Sequence, residues 1–177
     1  EGNHHSIART ADGSFWIPGT SERPRRTSTA FPEGYPGLAK TVWLEELLHV
    51  SEDGALLQKI NLLDVMYAND LERYLVKDNQ PEGGTDGTQS KDVMHLNDVE
   101  ALSPALAETY PLFEAGDLMV SLREPNLVLV FDPDTKEARW HASAPFIQQH
   151  DPDFVGNGMI SVFDNNEDFT KRGTMLG

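Results

Sequence analysis

The chain has 177 residues, of which 38% are hydrophobic and 24% charged, a composition typical of one soluble globular domain with a sizeable core. With 29 acidic and 14 basic side chains, the formal net charge of −15 argues against nucleic acid or an anionic membrane surface as a partner. The absence of cysteine excludes thiol catalysis, zinc–thiolate sites and disulfides, and no apolar run is long enough for membrane insertion.

Two hairpins are predicted in the first third of the chain. Residues 4–19 read as two strands around an Asp-Gly turn, and residues 20–40, rich in Pro, Gly, Ser, Thr and Arg, read as a long loop. The leucines within residues 42–62 would also fit a helix. A second Asp-Gly turn between two apolar runs favours a hairpin there instead.

The hydrophobic period changes over residues 62–76, where apolar side chains recur at helical spacing. Asn61 can cap the first turn by accepting from a backbone N–H, and Asp64 faces the positive end of the helix dipole. We therefore expect one inserted amphipathic helix over residues 62–76. A polar loop without core-forming content follows over residues 78–92.

Short strands resume after this loop. Four are predicted in the segments HLNDVEALS, DLMVSLR, NLVLVFDP and EARWHAS, with an Asp-Pro-Asp turn between the last two. Two more lie on either side of a Gly-Asn-Gly turn at residues 156–158. The chain thus contains a degenerate repeat, in which each set opens with a histidine, crosses a polar turn and runs into a short apolar strand.

This repeat predicts an all-β chain that forms a single partial β-propeller domain over residues 1–177. Units of four short antiparallel strands are typical of propeller blades, and we expect about three to four blades with one inserted α-helix. A closed ring needs at least about four blades. We therefore expect the chain to be a fragment, or to need further chain to close the ring. The alternative is a small β-sandwich with an inserted helix.

Three histidines take equivalent positions at the starts of innermost strands: His5 (or His4), His95 and His150. In a propeller, such positions converge at one mouth of the central channel. Arg123 ends the second strand of the middle set. A guanidinium among imidazoles makes a cationic pocket whose fork of donors fits tetrahedral oxyanions. Because neutral imidazole is a nucleophile, this cluster suits transfer of a sulfuryl or phosphoryl group.

Four segments, taken in order, resemble the bacterial arylsulfotransferases, the PAPS-independent aryl-sulfate sulfotransferases. They are DVMHLNDVEAL, DLMVSLREPNLVLVFDPDTKEARWH, QQHDPDF and MISVFDNNED. The resemblance covers most of residues 4–167 and is strongest over residues 92–167. It departs from the family pattern in the stretch SPALAETYPLFEAG, which lengthens the spacing between His95 and Arg123.

The resemblance implies a six-bladed propeller that moves a sulfuryl group from an aryl sulfate to a phenol through a sulfated histidine, without a nucleotide donor or any other cofactor. It implies that His150 is the nucleophile and that His5, His95 and Arg123 bind the sulfate, with His4 as the alternative to His5. It also implies a periplasmic or secreted protein whose partners are small aryl sulfates and phenols. The compartment is not decided by the sequence itself, and homo-oligomerisation is left open.

The residues leave two other functions open. Histidines from successive propeller blades can also hold iron, as in carotenoid-cleaving oxygenases, although a guanidinium would repel the metal cation. A non-catalytic propeller that binds a partner or a sulfated ligand is the second alternative. Taken singly, each histidine is also explained as a hydrogen-bonded residue at a strand start, and Arg123 as a partner of Glu124 or Asp117.

Overall fold

The structure is a computed structural model that describes residues 6–38, 40–79 and 92–166. Two expectations fall outside these ranges: the histidine-bearing start of the first set, His4 and His5, and most of the polar loop. Within the described residues, ten strands form three antiparallel sheets, accompanied by two short α-helices and one 3₁₀ helix. The all-β class is therefore confirmed. No helix in this part of the chain is long and apolar enough to cross a membrane.

The first sheet is a four-stranded meander made from the two predicted hairpins. Its strands pair in chain order, so both Asp-Gly turns connect neighbours. The helical alternative for residues 42–62 is wrong, because strands form there and residues 45–48 alternate between buried and half-buried, as strand residues do. The strands are β1 (Ala8–Arg9), β2 (Phe15–Thr20), β3 (Glu45–Val50) and β4 (Leu56–Asn61).

The predicted helix over residues 62–76 is divided into two pieces. α1 (Leu62–Ala68) begins as expected, with the Asn61 side chain accepting a first-turn N–H at 3.0 Å. Asp70 then takes a left-handed conformation with φ of 55°, which no α-helix can continue through. The chain restarts as a 3₁₀ helix over Glu72–Asn79. Apolar spacing alone does not reveal this break.

The second sheet is the predicted middle set, again a meander in chain order. Every residue of its two central strands is buried, as expected for strands covered on both faces. The stretch between the first two strands contains a one-turn helix, α2 (Pro104–Ala107), that the sequence analysis did not predict. The strands are β5 (Leu96–Ala101), β6 (Leu118–Leu122), β7 (Leu127–Phe131) and β8 (Ala138–Ala142).

The third sheet is the predicted final hairpin, β9 (His150–Gly156) and β10 (Met159–Phe163). Asn157 and Gly158 occupy the turn with φ of 54° and 72°. Positive φ at both central residues matches the twist of the flanking strands and explains the Asn-Gly pair. Among the described residues, the outer edge of β10 has no strand partner.

The second sheet lies between the other two, with a separate hydrophobic core on each of its faces. Alternate residues of β7 divide between these cores: Leu129 packs with the first sheet and α1, whereas Val128 and Val130 pack towards the third sheet. Three sheets therefore stack in chain order, which is one more layer than the alternative β-sandwich requires. A closed ring is not part of the described residues.

Candidate functional site

Three predicted site residues lie at one end of the second and third sheets. His95 precedes β5, Arg123 follows β6 and His150 opens β9. The Arg123 backbone N–H donates to the His95 carbonyl at 3.1 Å, and Arg123 Nη2 donates to Gln148 Oε1 at 3.2 Å. Arg123 is thus linked to His95 on one side and, on the other, to the segment leading into His150. The fourth predicted residue, His5, lies outside the described residues, as does its alternative His4.

The orientation of His95 is fixed by Asp92. The Asp92 carboxylate accepts the His95 backbone N–H at 2.8 Å and lies 2.5 Å from its Nδ1. Burial raises the pKa of Asp92, but the hydrogen bonds and charge of His95 outweigh this effect and lower the pKa below its ordinary value. Asp92 is therefore ionised at neutral pH and sets both the tautomer and the direction of the imidazole.

A second acidic residue approaches Asp92 from the first sheet. Glu45, the first residue of β3, is 6% exposed, and the Leu96 backbone N–H donates to its carboxyl group. Burial, followed by the negative charge of Asp92, raises the pKa of Glu45 to about 8. The sequence analysis missed both acidic residues. Asp92 was detectable, since an Asp three residues before a histidine can accept its backbone N–H, whereas nothing local marks Glu45.

Arg123 is half-buried and held by two polar groups. Its Nη1 donates to Glu124 Oε1 at 3.2 Å, and its Nη2 reaches Gln148. The Glu124 contact is one of the two that are expected if Arg123 has only a structural role. The other expected partner, Asp117, instead faces Arg139, whose Nε lies 3.6 Å from its carboxylate. A guanidinium carries five N–H donors, so the two side-chain contacts of Arg123 leave donors for an anionic ligand.

His150 stands at the start of β9, paired in register with Phe163. Its Nδ1 lies 3.0 Å from the Gln148 carbonyl and 3.2 Å from the Asn165 amide nitrogen. A protonated Nδ1 donates to the carbonyl oxygen, whereas an unprotonated Nδ1 accepts from the amide; the shorter carbonyl contact favours the proton on Nδ1. The neutral ring then presents an unprotonated Nε2, which is the tautomer that a nucleophilic histidine needs.

The buried side chain of Gln149 ties the start of β9 to the second sheet. Its Nε2 donates to Ser121 Oγ at 3.1 Å and to the Leu122 and Leu127 carbonyls at 3.0 and 3.2 Å. Its backbone carbonyl accepts from Asn97 Nδ2 at 2.9 Å. Gln149 is fully buried and thereby sets where His150 lies relative to His95. The sequence did not reveal this anchoring role of Gln149.

Replacing Gln149 with leucine is expected to lower the free energy of unfolding by about 3 kcal/mol, because it removes three donated hydrogen bonds and leaves buried acceptors unpaired. Urea denaturation measures this change. Gln58→Leu is the matched control: Gln58 makes one hydrogen bond, to the Pro133 carbonyl, and its loss should cost under about 1 kcal/mol. Equal costs for the two variants would contradict the anchoring role of Gln149.

An acidic cluster lies between β5 and β9, beside the site. Burial, followed by the charges of Asp151 and Asp153, raises the pKa of Asp98 to about 6. Burial and the same neighbours raise the pKa of Glu100 to about 7. Glu100 also accepts the Phe154 backbone N–H at 2.7 Å, which draws β9 towards β5. Both groups therefore bind protons more tightly in the folded than in the unfolded chain.

Stability is accordingly expected to fall as pH rises from about 5 to about 8. A raised folded-state pKa contributes stability that is complete below the unfolded value and is lost as pH rises through the folded value. Thermal or urea unfolding as a function of pH measures the slope. The double variant Asp98→Asn, Glu100→Gln should reduce the slope and leave the part that Glu45 contributes, and an unchanged slope in that variant would rule out these two groups as contributors.

Two other histidines, His49 and His141, have structural contacts. The His49 ring stacks on Trp16, with centroids 4.4 Å apart, and its Nε2 lies 2.6 Å from Ser14 Oγ. His141 Nε2 lies 3.2 Å from the Tyr74 hydroxyl. Across residues 6–38, 40–79 and 92–166, no group of three or more His, Cys, Asp or Glu side chains is placed to hold a metal ion.

An apolar groove of about 600 Å³ opens beside the third sheet, and its lining does not include His95, Arg123 or His150. It runs between the α2 region, β8 and the face of β10 that carries Ile160 and Val162. Its walls include four aromatic side chains, and the Phe113 and Trp140 rings are in edge-to-face contact at 6.4 Å. The groove therefore offers an uncovered apolar face next to the unpaired edge of β10.

Comparison with known proteins gives one family. The family model described as Arylsulfotransferase (ASST) matches residues 2–176, nearly the whole chain. No curated protein matches the chain significantly. No solved structure matches it significantly either.

Proposed function

Because the chain belongs to the arylsulfotransferase family, we propose that it moves a sulfuryl group from an aryl sulfate donor to a phenolic acceptor through a sulfohistidine at His150. Family membership gives the chain an arylsulfotransferase-type function in general. The observation that carries the finer proposal is the series of contacts from His95 through Arg123 to Gln148, two residues before His150. These contacts support a site in which Arg123 and His95 bind the sulfate beside His150 as the nucleophile.

In the first half-reaction, His150 Nε2 attacks the sulfur of the aryl sulfate. The N–S bond forms as the bond from sulfur to the aryl oxygen breaks, and the phenolate leaves with the electron pair. Arg123, together with His95 in its imidazolium form, donates to the sulfuryl oxygens and offsets their charge in the transition state. The positive charge that develops on the His150 ring is stabilised by the Gln148 carbonyl at Nδ1, 3.0 Å away.

In the second half-reaction, the oxygen of the acceptor phenol attacks the same sulfur. The N–S bond breaks, neutral His150 is restored, and the phenolic proton is released to solvent, where it balances the phenolate lost in the first half. No cofactor is consumed in this scheme. The partners are small aryl sulfates and phenols, and a periplasmic or secreted location remains part of the proposal.

The fold that goes with this function is a partial propeller. Three sheets stacked in chain order, with innermost strands that start at one common end, support this arrangement. The groove beside β10 lies where further strands of the third sheet would pack against Phe113 and Trp140. A propeller blade needs a neighbour on each face, which accounts for an uncovered apolar surface there.

Steady-state kinetics on the full chain test the proposed route. The rate is measured against donor concentration at several acceptor concentrations. A ping-pong mechanism predicts parallel lines in the double-reciprocal plots of these data. A chelator should leave the rate unchanged, whereas an iron-dependent enzyme would lose activity on metal removal. Intersecting lines, or inhibition by the chelator, would contradict the sulfohistidine route.

A further inference from the structure

A carboxyl pair, the buried Glu45 and the half-buried Asp92, lies beside His95. Glu45 comes from the first sheet and shares a hydrogen bond with Asp92, which in turn lies 2.5 Å from His95 Nδ1. Glu45 is 6% exposed, and the charges that act on it most strongly, those of Asp92 and Glu46, are both negative. Two acidic groups thus meet beside an imidazole that the proposed reaction uses to bind an anion.

A buried carboxyl group beside a second carboxylate resists ionisation, because burial disfavours its charged form and the neighbouring charge repels it. The contact with His95 favours the negative charge on Asp92 over Glu45. The hydrogen bonds and charge of His95 lower the pKa of Asp92 despite burial, whereas burial and Asp92 raise the pKa of Glu45 to about 8. The shared proton therefore resides on Glu45, and the negative charge on Asp92.

We propose that Glu45 is a positioning residue that carries a proton at neutral pH, donates it to Asp92 in a hydrogen bond, and so holds the Asp92–His95 pair in one orientation. The hydrogen bond is independent of the reaction. Its contribution to catalysis rests on the proposed sulfuryl transfer. A neutral Glu45 also keeps a second negative charge away from the sulfate, which His95 and Arg123 bind.

The proton on Glu45 can be tested without turnover, through the NMR signal of the His95 Nδ1 proton in the full chain. A proton held in a short hydrogen bond to a carboxylate gives a downfield signal, and its loss in His95→Gln assigns it. In the wild-type chain the signal should be present at neutral pH. It should disappear as pH rises through about 8, when Glu45 ionises and repels Asp92.

Two variants separate the proton from the shape of the side chain. Glu45→Gln keeps a neutral donor of the same shape and should retain the signal on both sides of pH 8. Glu45→Leu fills the space without a donor and should shift or broaden the signal already at neutral pH. If Glu45→Gln loses the signal above pH 8 as the wild type does, or if Glu45→Leu matches Glu45→Gln, the proposal is overturned.

Activity gives a separate readout. The KM for the aryl sulfate should rise above about pH 8 in the wild type, and this rise should be absent in Glu45→Gln, because only the wild type gains a second negative charge near the sulfate. An equal rise in both chains would contradict the proposal. A chain with the expected NMR pattern but no transfer at any pH would contradict the proposed function and still support the proton on Glu45.

Discussion

Replacing His150 with alanine is expected to lower the rate of sulfuryl transfer by roughly 10⁴-fold or more, because no other group takes over the covalent step. The fold should persist. The side-chain contacts of His150 are made at the half-buried start of β9, with the Gln148 carbonyl and the Asn165 amide. Their loss should cost about 1 kcal/mol or less. Transfer rates and urea denaturation on the same preparation measure the two effects.

His141→Ala is the matched control for this experiment. His141 is also a half-buried strand histidine with a polar contact, here to the Tyr74 hydroxyl, but it lies on β8, away from the candidate site. Its removal should leave transfer near the wild-type rate. Retained transfer in His150→Ala would remove His150 from the mechanism, and equal losses in both variants would point to a folding defect instead.

Replacing Arg123 with lysine is expected to lower kcat/KM by about 100-fold. Lysine keeps the positive charge but presents one point charge in place of a planar fork, so it cannot donate to two sulfuryl oxygens and to Gln148 at once. Because these contacts strengthen as charge builds on the oxygens, part of the loss should fall on kcat. Initial rates across donor concentrations separate kcat from KM.

Arg139→Lys provides the comparison for Arg123→Lys. The two arginine side chains are equally exposed, at 25% and 26%, and Arg139 contacts only acidic residues remote from the histidines. Its replacement should change stability slightly and leave kcat/KM near the wild-type value. Wild-type kinetics in Arg123→Lys would mean that Arg123 does not bind the sulfate.

The strands and hairpins were predictable from sequence because each is marked locally by alternating or continuous apolar residues between turn signals. The break in the helix was not. Asp70 is held at positive φ in a segment where the neighbouring Asn69 side chain binds the Lys136 carbonyl, in the turn before β8, and the Ala138 N–H of β8. Contacts between sheets override local propensity there, and apolar spacing carries no trace of them.

The candidate site, too, was predictable from the sequence only in part. His95, Arg123 and His150 follow from the repeat, because equivalent positions in successive sheets meet at one end. Gln149 and Glu45 do not follow from it. Each side chain is buried against a neighbouring sheet. A glutamine or glutamate at the start of a strand gives no local sign that its side chain will be enclosed. Only the stacking of three sheets brings Gln149 to its partners in the second sheet and Glu45 to Asp92.

The most direct test of the account is an intact-mass spectrum of the chain after brief exposure to an activated aryl sulfate without acceptor. The account predicts a gain of one sulfuryl group, mapped to His150 by peptide fragmentation, and its loss when a phenol is added. The His150→Ala chain should gain nothing. Release of phenol without any adduct, or an adduct mapped to another residue, would contradict a sulfohistidine at His150.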